Sequence, residues 1–304
     1  MATDRLLVPL DRSSLSEAAL PYARMLAAAA DAAVTLLTVW EPPDLDVSEL
    51  APGMVEDLRE RGVQAGRAYL EQLAAGLRDA GLRTDVEVRV GSAAEEVLAA
   101  VEESGASLVV MATHGRGGLE RAAYGSVADQ VTRHAPVPAL LVKPSPEEEA
   151  PRTPAIRRIL VPLDGSELSA LALPHAEAWA LRLGAEVHLV RAVAWAAEIY
   201  AAPVSVYYPP TLDEELAAAA GSYLERMRGH LHRDLTVRTA TVRGPAATAI
   251  QSYVREQGID LIVMATRGRG GLVRATLGST ADRIARSGVA PVLLVRAGQP
   301  KEGS

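Results

Sequence analysis

The stretch VVMATHGRGGL at 109–119 returns almost unchanged as IVMATRGRGGL at 262–272. The two copies lie 153 residues apart, because 262 − 109 = 153. VPLD recurs with the same spacing at 8–11 and 161–164, since 161 − 8 = 153. This period is far longer than the roughly 20 to 50 residues of solenoid and propeller repeats. The sequence therefore predicts a duplicated domain rather than a stack of small units.

In each half, short β-branched runs alternate with long amphipathic stretches, which is typical of a parallel α/β sheet. The predicted strands of the first copy are RLLVPL, AVTLLTVW, TDVEVRV, SLVVMAT and PALLVK. The predicted helices lie near 15–30, 54–80, 92–104 and 126–134. The second copy is expected to repeat all nine elements. The fourth strand is continuously apolar in both copies, so we expect it in the centre of its sheet.

Helix-end signals accompany this pattern. Ser92 with Glu95 three residues on has the spacing of a capping box. Gly81 and Gly105 follow predicted helices and are expected to end them.

The composition fits two folded domains. A chain of 304 residues is long enough for about two domains of ordinary size. Its 49% apolar and 23% charged residues are typical of folded, water-soluble proteins. Proline and glutamate accumulate in KPSPEEEAPRTPA, which indicates a linker. We expect domains at 1–145 and 156–298, joined by a linker at 146–155.

Charge and residue usage argue against several classes of function. A formal net charge of −7 argues against a protein that holds duplex nucleic acid mainly by neutralising phosphates. Without cysteine there is no disulfide, zinc-thiolate site or thiol nucleophile. The N-terminal apolar run LLVPL is too short for a signal peptide, and no stretch reaches the roughly 20 apolar residues of a membrane span. The sequence predicts a cytoplasmic protein with no metal site, membrane segment or nucleic-acid partner.

Two loops are candidates for ligand binding. In open α/β sheets, ligands bind beyond the carboxyl ends of the strands, where the strand order reverses. One loop places Asp11, or Asp164 in the second copy, after the first strand. The other follows the fourth strand, is rich in glycine and ends in Gly-Ser before a helix, at 125–126 and 278–279. Glycines at positive φ would turn N–H groups inward and a helix start adds free donors, which predicts a phosphate cradle.

A purely structural interpretation stays open for each loop. The glycines would then form only a turn, and Ser126 would only cap its helix. Asp11 and Asp164 would form Asx turns before the next helix. The repetition of GRGG and GS in both copies favours phosphate binding. Neither G-x-x-x-x-G-K-[ST] nor G-x-G-x-x-G occurs, so the two common phosphate-loop fingerprints are absent.

With PLD-x-S and Gly-x9-Gly-Ser present in both copies, each half resembles the universal stress protein family. The resemblance covers about 3–143 and 156–297. It implies an α/β fold of two tandem doubly wound, Rossmann-like domains, each with a five-stranded parallel sheet of order 3-2-1-4-5. The first and fourth strands would then be neighbours, and the two candidate loops would face each other.

The resemblance also implies the site residues. ATP-binding relatives have Gly-x2-Gly-x9-Gly-[Ser/Thr], and this chain has Ala112 and Ala265 at the first glycine, where a methyl group meets the approaching ribose. In the first domain the implied adenine and ribose contacts are Pro9, Asp11, Val39 and Met111, and the implied phosphate contacts are Gly115, Gly125, Ser126 and Val127. Their second-domain equivalents are Pro162, Asp164, Ala192, Met264, Gly268, Gly278, Ser279 and Thr280. Because Ala192 is smaller than Val39, the second adenine pocket is expected to be looser.

The implied ligand is ATP, with AMP and ADP as alternatives, and Mg²⁺ bound through the phosphates. The last strands, VPALLVK and APVLLVR, are expected at sheet edges that invite pairing. Relatives pair these edges, which implies pseudo-twofold pairing of the two domains, with a homodimer of chains as a further option. The implied role is that of a cytosolic stress-response regulator.

No dedicated catalytic centre is predicted. No nucleophile and base show a helpful spacing, and His114 is replaced by Arg267 in the second copy. His230 and His232 lie two residues apart, which does not place both on one helical face. A scaffold with degenerate nucleotide sites and a weak Mg-dependent ATPase stay open as alternatives.

Overall fold

The computed structural model describes residues 4–42, 52–113, 125–144, 154–193, 211–266 and 278–296. The chain divides into two compact units, 2–154 and 155–304, the second together with Met1. Each unit holds one copy of the repeat. The bounds of the predicted linker stay a prediction, because most of it lies outside the described residues.

In the first domain, five strands alternate with helices. The strands are β1 (Arg5–Pro9), β2 (Ala33–Trp40), β3 (Thr84–Val90), β4 (Leu108–Ala112) and β5 (Ala139–Val142). The helices are α1 (Ser14–Glu17), α2 (Leu20–Ala30), α3 (Pro52–Asp79), α4 (Ala93–Ser104) and α5 (Ser126–His134). The helix predicted at 15–30 is divided in two. Pro21 has no N–H with which to continue the helical ladder, so a new helix starts with Pro21 in its first turn.

The second domain repeats this order. Its strands are β6 (Arg158–Pro162), β7 (Glu186–Val193), β8 (Val237–Arg243), β9 (Leu261–Thr266) and β10 (Val292–Arg296). Its helices are α6 (Glu167–Ala170), α7 (Leu173–Leu183), α8 (Leu212–Arg228), α9 (Ala246–Gln257) and α10 (Ser279–Ser287). No helix within the described ranges is both long enough and apolar enough to cross a bilayer.

Both sheets have the strand order that the resemblance implies. In the first domain β1 pairs with β2 and β4, β2 with β3, and β4 with β5, all in parallel. In the second domain β6 pairs with β7 and β9, β7 with β8, and β9 with β10, again in parallel. Each domain therefore has the order 3-2-1-4-5, and the predicted α/β fold is confirmed.

The core of each domain lies on the central strands. All five residues of β4, LVVMA, are buried, and so are five of the six residues of β9, all except Ala265. Continuous burial of this kind requires helices on both faces, which explains why these strands read as apolar runs. The prediction that the fourth strand is central is confirmed.

One predicted helix start differs in detail. Ser92 is the N-cap of α4, but its side chain makes no capping hydrogen bond. The carboxylate of Glu41, just beyond β2, instead accepts the N–H of Ala93 at 2.9 Å. The predicted capping box with Glu95 is therefore wrong, and the carboxylate of Glu41 caps a different donor of the first turn. Gly105 ends α4 in the left-handed conformation, φ 62°, as predicted.

Candidate functional site

The strand order brings two loops of the first domain together. β1 pairs with β4 through Leu6 and Leu108 and through Leu7 and Val109, and with β2 on its other side. Neighbouring strands lie about 4.8 Å apart, so the loop after β1 and the segment after β4 leave the sheet side by side. β6 and β9 have the same arrangement in the second domain. Each domain thus has a strand-order reversal at the place where the candidate loops start.

The acidic residues of these loops turn toward their own backbone. Asp11 Oδ1 accepts hydrogen bonds from the Ser13 backbone N–H at 3.0 Å and from the Ser13 hydroxyl. Asp164 Oδ1 accepts from the Ser166 backbone N–H at 2.9 Å and from the Ser166 hydroxyl at 2.6 Å. These are Asx turns, so the structural interpretation of both aspartates is confirmed. The turn itself engages one carboxylate oxygen.

The pKa of Asp164 reflects these contacts. Partial burial alone would raise it, but hydrogen bonds from the Ser166 hydroxyl, the Ser166 backbone and the Ser169 hydroxyl outweigh burial. The pKa of Asp164 therefore lies below its ordinary value of 3.8. The carboxylate is ionised at neutral pH and only accepts hydrogen bonds. It suits a ribose hydroxyl or an adenine amino group, and it repels phosphate.

A second serine completes each acidic loop. The Ser13 hydroxyl caps α1 by accepting the Ser16 N–H at 3.2 Å, and the Ser16 hydroxyl donates to the Ser13 carbonyl at 2.8 Å. The Asp11 N–H donates to the Ser16 hydroxyl at 3.3 Å. Corresponding bonds recur within DGSELS at 164–169. Sequence reasoning missed the second serine, although the shared spacing D-x-S-x-x-S of DRSSLS and DGSELS was a usable signal.

A backbone hydrogen bond joins the residue after β4 to the residue before α5. The carbonyl of Thr113, directly after β4, accepts the N–H of Gly125 at 2.7 Å, and the Thr113 N–H donates to the Val142 carbonyl at 2.8 Å. Gly125 is the N-cap of α5, and Ser126 is its first helical residue. These bonds hold the start of α5 at the carboxyl edge of the sheet, beside the loop after β1.

Two details of the predicted cradle need correction. Gly125 has φ −64° and Gly278 has φ −55°, so neither uses the positive φ expected of the cradle glycines. Ser126 and Ser279 are not N-caps, because the glycine before each one occupies the extended N-cap conformation. The simplest structural role suggested for Ser126 is therefore wrong, and the donors come from the helix start itself.

The first turns of α5 and α10 offer backbone donors without a side-chain cap. A glycine N-cap has no side chain that can accept these N–H groups, and neither helix has a side-chain capping bond in the described part of the chain. Asp129 and Asp282, the acidic residues of these turns, form ion pairs with Arg133 at 2.9 Å and Arg286 at 2.7 Å. Because those carboxylates are paired, each helix start keeps its donors and its positive dipole end for an anion.

The described residues give no reason for glycine at these N-caps. Among them, a Cβ added at Gly125 would meet only the Thr113 carbonyl, at an ordinary 3.7 Å, and a Cβ at Gly278 would meet nothing within 4 Å. Gly91 and Gly244, another pair 153 residues apart, differ because their φ values of 149° and 109° favour glycine. At Gly125 and Gly278, neither the backbone geometry nor any described neighbour requires glycine.

The remaining predicted contacts lie on the same edge where they are described. Pro9 and Pro162 end β1 and β6, and Met111 and Met264 are buried near the ends of β4 and β9. Ala112, at the end of β4, is buried. The other predicted residues near strand ends or in the first turns of α5 and α10 are partly buried, namely Val39, Val127, Ala192, Ala265 and Thr280. Gly115 and Gly268 lie outside the described residues.

Acidic and histidine side chains are the candidate metal ligands of the described ranges. Within them, no group of three or more His, Asp and Glu side chains is arranged to hold a metal ion. His232 lies 3.7 Å from Asp234 beyond the end of α8, where both side chains are largely exposed.

Comparisons with known proteins agree with the repeat. The model of the universal stress protein family matches residues 2–143 and 155–296. A universal stress protein of Mycolicibacterium smegmatis is 29% identical over 299 residues, which are 96% of each chain. A solved universal stress protein of Archaeoglobus fulgidus is similar with a TM-score of 0.72 and 20% identity, covering 98% of this chain and 100% of that one. A solved universal stress protein in complex with cAMP matches 46% of this chain, and 97% of its own, at 20% identity and a TM-score of 0.34.

The repeat of 153 residues, the two sheets of order 3-2-1-4-5 and the family match over both halves agree with one another. The chain therefore belongs to the universal stress protein family, as a tandem member with two such domains.

Proposed function

We propose that this protein is a cytoplasmic stress-response regulator that binds ATP in both domains and has no dedicated catalytic centre. The observation that carries the proposal is the pair of glycine N-caps at Gly125 and Gly278. Within the described part of the chain, neither backbone geometry nor packing requires glycine there, and each glycine leaves the helix amides without a side-chain cap. Helix starts of this kind favour phosphate groups.

In each domain we call the region between the acidic loop after the first strand and the helix start after the fourth strand the cleft. The distribution of charge around each cleft supports a nucleotide over a simple anion. Asp11 and Asp164 lie on the loop next to the helix start and are acceptors, whereas the helix start is a donor. A ligand that fits both has hydroxyl or amino donors at one end and negative charge at the other. Adenosine phosphates have this distribution, and Mg²⁺ would enter with the phosphates.

The alternative of a scaffold with degenerate sites has one observation in its favour. The Asx turns give both aspartates a structural role without any ligand. A scaffold needs no accessible amides at α5 and α10, so filling the space beside them would leave its binding to protein partners unchanged.

Isothermal titration of the full chain with Mg-ATP, ADP, AMP and cAMP tests the proposal. We expect saturable binding of adenosine phosphates by the wild type and none by the double variant Gly125→Glu, Gly278→Glu, because a carboxylate beside the helix start repels phosphate. A Cβ at either position meets no close contact among the described residues, and glycine is lost from the unfolded chain, so the variant is expected to melt no lower than the wild type. No heat and no thermal shift with the wild type at millimolar Mg-ATP would reject the proposal.

The same variants separate the alternatives. A weak ATPase predicts phosphate release that disappears in both Asp11→Ala and Gly125→Glu. Pairing of the two domains through their last strands stays a prediction, which disulfide cross-linking of cysteines placed in β5 and β10 would test.

A further inference from the structure

An arginine lies against the acidic loop of the second domain. Arg191 is on β7, one residue beyond Val190, which pairs with Pro162 at the end of β6. A Cβ built on Gly165 would lie 3.1 Å from Arg191 Nη2 and 3.3 Å from its Cζ. The guanidinium therefore lies against the backbone of the residue after Asp164. Glycine suits this close approach in two ways, because its φ of 94° disfavours other residues and because a Cβ would make a tight contact with the guanidinium.

An aromatic ring holds this guanidinium in place. Arg191 Cζ lies 5.0 Å from the ring centroid of Tyr223 on α8, and Tyr223 is only 9% exposed. Arg226, one turn further along α8, approaches the same ring at 5.8 Å. Both distances are within the range of cation–π interactions. The buried ring thus brings two cations together beside the second cleft.

Neither cation is neutralised within the described residues. No carboxylate of the described ranges lies within ion-pair distance of Arg191 or Arg226, although the chain has 38 acidic residues and many of its arginines are paired. Stacking uses the flat face of a guanidinium and leaves its N–H donors at the edge. Arg191 therefore presents donors and positive charge that no carboxylate of the described residues takes up.

The first domain is built differently at these positions. The residues 153 before Arg191, Tyr223 and Arg226 are Thr38, Leu70 and Leu73, none of which is charged. A Cβ on Gly66 of α3 would lie 3.0 Å from Thr38 Cγ2, so the helix packs too closely for a long side chain at position 38. Arg12, which stands where the second domain has Gly165, carries a side chain on a left-handed backbone with φ 66°. Only the second domain supplies the cation from the strand and leaves room for it in the loop.

The position of Arg191 separates it from the helix start. Arg191 extends from β7, its ring partner Tyr223 is on α8, and its guanidinium reaches the loop after β6. The helix α10 follows β9, which pairs with β6 on the side away from β7. We therefore take an anion held by Arg191 to be a different group from the phosphate chain at α10. The acidic loop, which suits a ribose, lies between the two positions.

We propose, on the basis of the proposed nucleotide site, that Arg191 is a specificity-determining residue of the second cleft. It selects adenine nucleotides with phosphate at two separate places on the ribose, such as 3′ and 5′, over nucleotides with one phosphate chain. The guanidinium forms paired hydrogen bonds with the ribose phosphate, and the amides of α10 hold the 5′ phosphate. Tyr223 keeps the guanidinium oriented, and Arg226 adds positive charge.

A matched pair of ligands tests this inference. Adenosine 3′,5′-bisphosphate and ADP have the same base and two phosphates each, and differ in where the phosphates are attached. Titration uses the full chain with the first cleft blocked by Gly125→Glu. We expect tighter binding of the bisphosphate than of ADP, and in Arg191→Met a loss of about tenfold or more for the bisphosphate with a change below about twofold for ADP.

Two further variants separate recognition from packing and general charge. Arg191→Lys keeps the charge without the paired donors and is expected to fall between wild type and Arg191→Met. Arg182→Met removes an arginine that stacks on Trp179 near the end of α7. This end of α7 leads into the amino end of β7, away from the carboxyl ends of the strands, so the variant is expected to leave the ligand preference unchanged. Melting temperatures of all variants report any loss of packing.

The outcomes distinguish this inference from the function on which it rests. Binding of ADP without preference for the bisphosphate, or a lower melting temperature in Arg191→Met with an unchanged preference, overturns the role of Arg191 alone. An equal loss of both ligands in Arg191→Met also overturns it. No binding of ADP, ATP or the bisphosphate by wild type or by Gly125→Glu overturns the nucleotide site itself.

Discussion

Replacing Gly125 with serine is expected to stabilise the first domain and to weaken its ligand binding. The backbone at Gly125, φ −64° and ψ 153°, is ordinary for a serine N-cap, and an added Cβ meets only the Thr113 carbonyl at 3.7 Å. The new hydroxyl accepts an N–H of the first turn, worth a few tenths of a kcal/mol over glycine, and the unfolded chain loses flexibility worth about 0.4–1 kcal/mol. The sum is about 1 kcal/mol, or about 3 °C in melting temperature for a domain of this size.

The same hydroxyl takes an amide that the proposed phosphate needs. Loss of one hydrogen bond to a charged group costs about 1.5–3 kcal/mol, so the first site weakens about tenfold to a hundredfold. Thermal unfolding and titration with Mg-ATP measure the two effects on one protein. Gly125→Ala is the control, because it adds a methyl group but no acceptor for the amide. A variant that is more stable and binds as tightly as the wild type would refute the assignment of these amides to the ligand.

Substitutions at three other sites have expected effects on stability that follow from the local surroundings of each residue. Burial lowers the pKa of His188 below its ordinary 6.5 despite the nearby carboxylate of Glu186, so the unfolded chain takes up the proton first and stability falls as the pH drops below 6.5. His188→Gln is expected to reduce this dependence, and the difference between urea midpoints at pH 5 and pH 7.5 measures the reduction. Gly62→Ala is expected to destabilise the first domain by about 1–3 kcal/mol and to shift tryptophan fluorescence, because the new Cβ would overlap the Trp40 indole. Its control, Gly76→Ala in the same helix, meets no described atom and is expected to stabilise the domain by about 0.4–1 kcal/mol. Because the pKa of Asp164 is lower in the folded than in the unfolded chain, its ionised form stabilises the fold above the unfolded pKa, and this stability is lost as the pH falls through the folded pKa. Asp164→Asn is therefore expected to weaken the pH dependence of the free energy of unfolding below about pH 4, as measured by urea unfolding.

The repeat and the strand order were accessible from the sequence because both rest on long, regular patterns. The apolar run LVVMA identifies a strand buried on both faces, and its second copy fixes the period of the duplication. The order 3-2-1-4-5 came from the family resemblance, and the pairing of β1 with β4 confirms it.

Local hydrogen bonds were harder to predict because they also involve residues that are distant in sequence. Ser92 has the sequence signal of a capping box, yet Glu41, distant in sequence, takes the N–H of Ala93. Glycine in a phosphate loop suggested positive φ, but Gly125 has an extended backbone and matters for the space it leaves. Arg191 gave no sequence signal, since its role depends on Gly165 and Tyr223, which meet it only in the folded domain.

Native mass spectrometry of the full chain with Mg-ATP tests the central claim most directly, because it counts bound nucleotides. The account predicts two nucleotides on the wild type, one on Gly125→Glu, one on Gly278→Glu and none on the double variant. Two nucleotides retained by the double variant, or none bound by a folded wild-type chain at millimolar ligand, would contradict it.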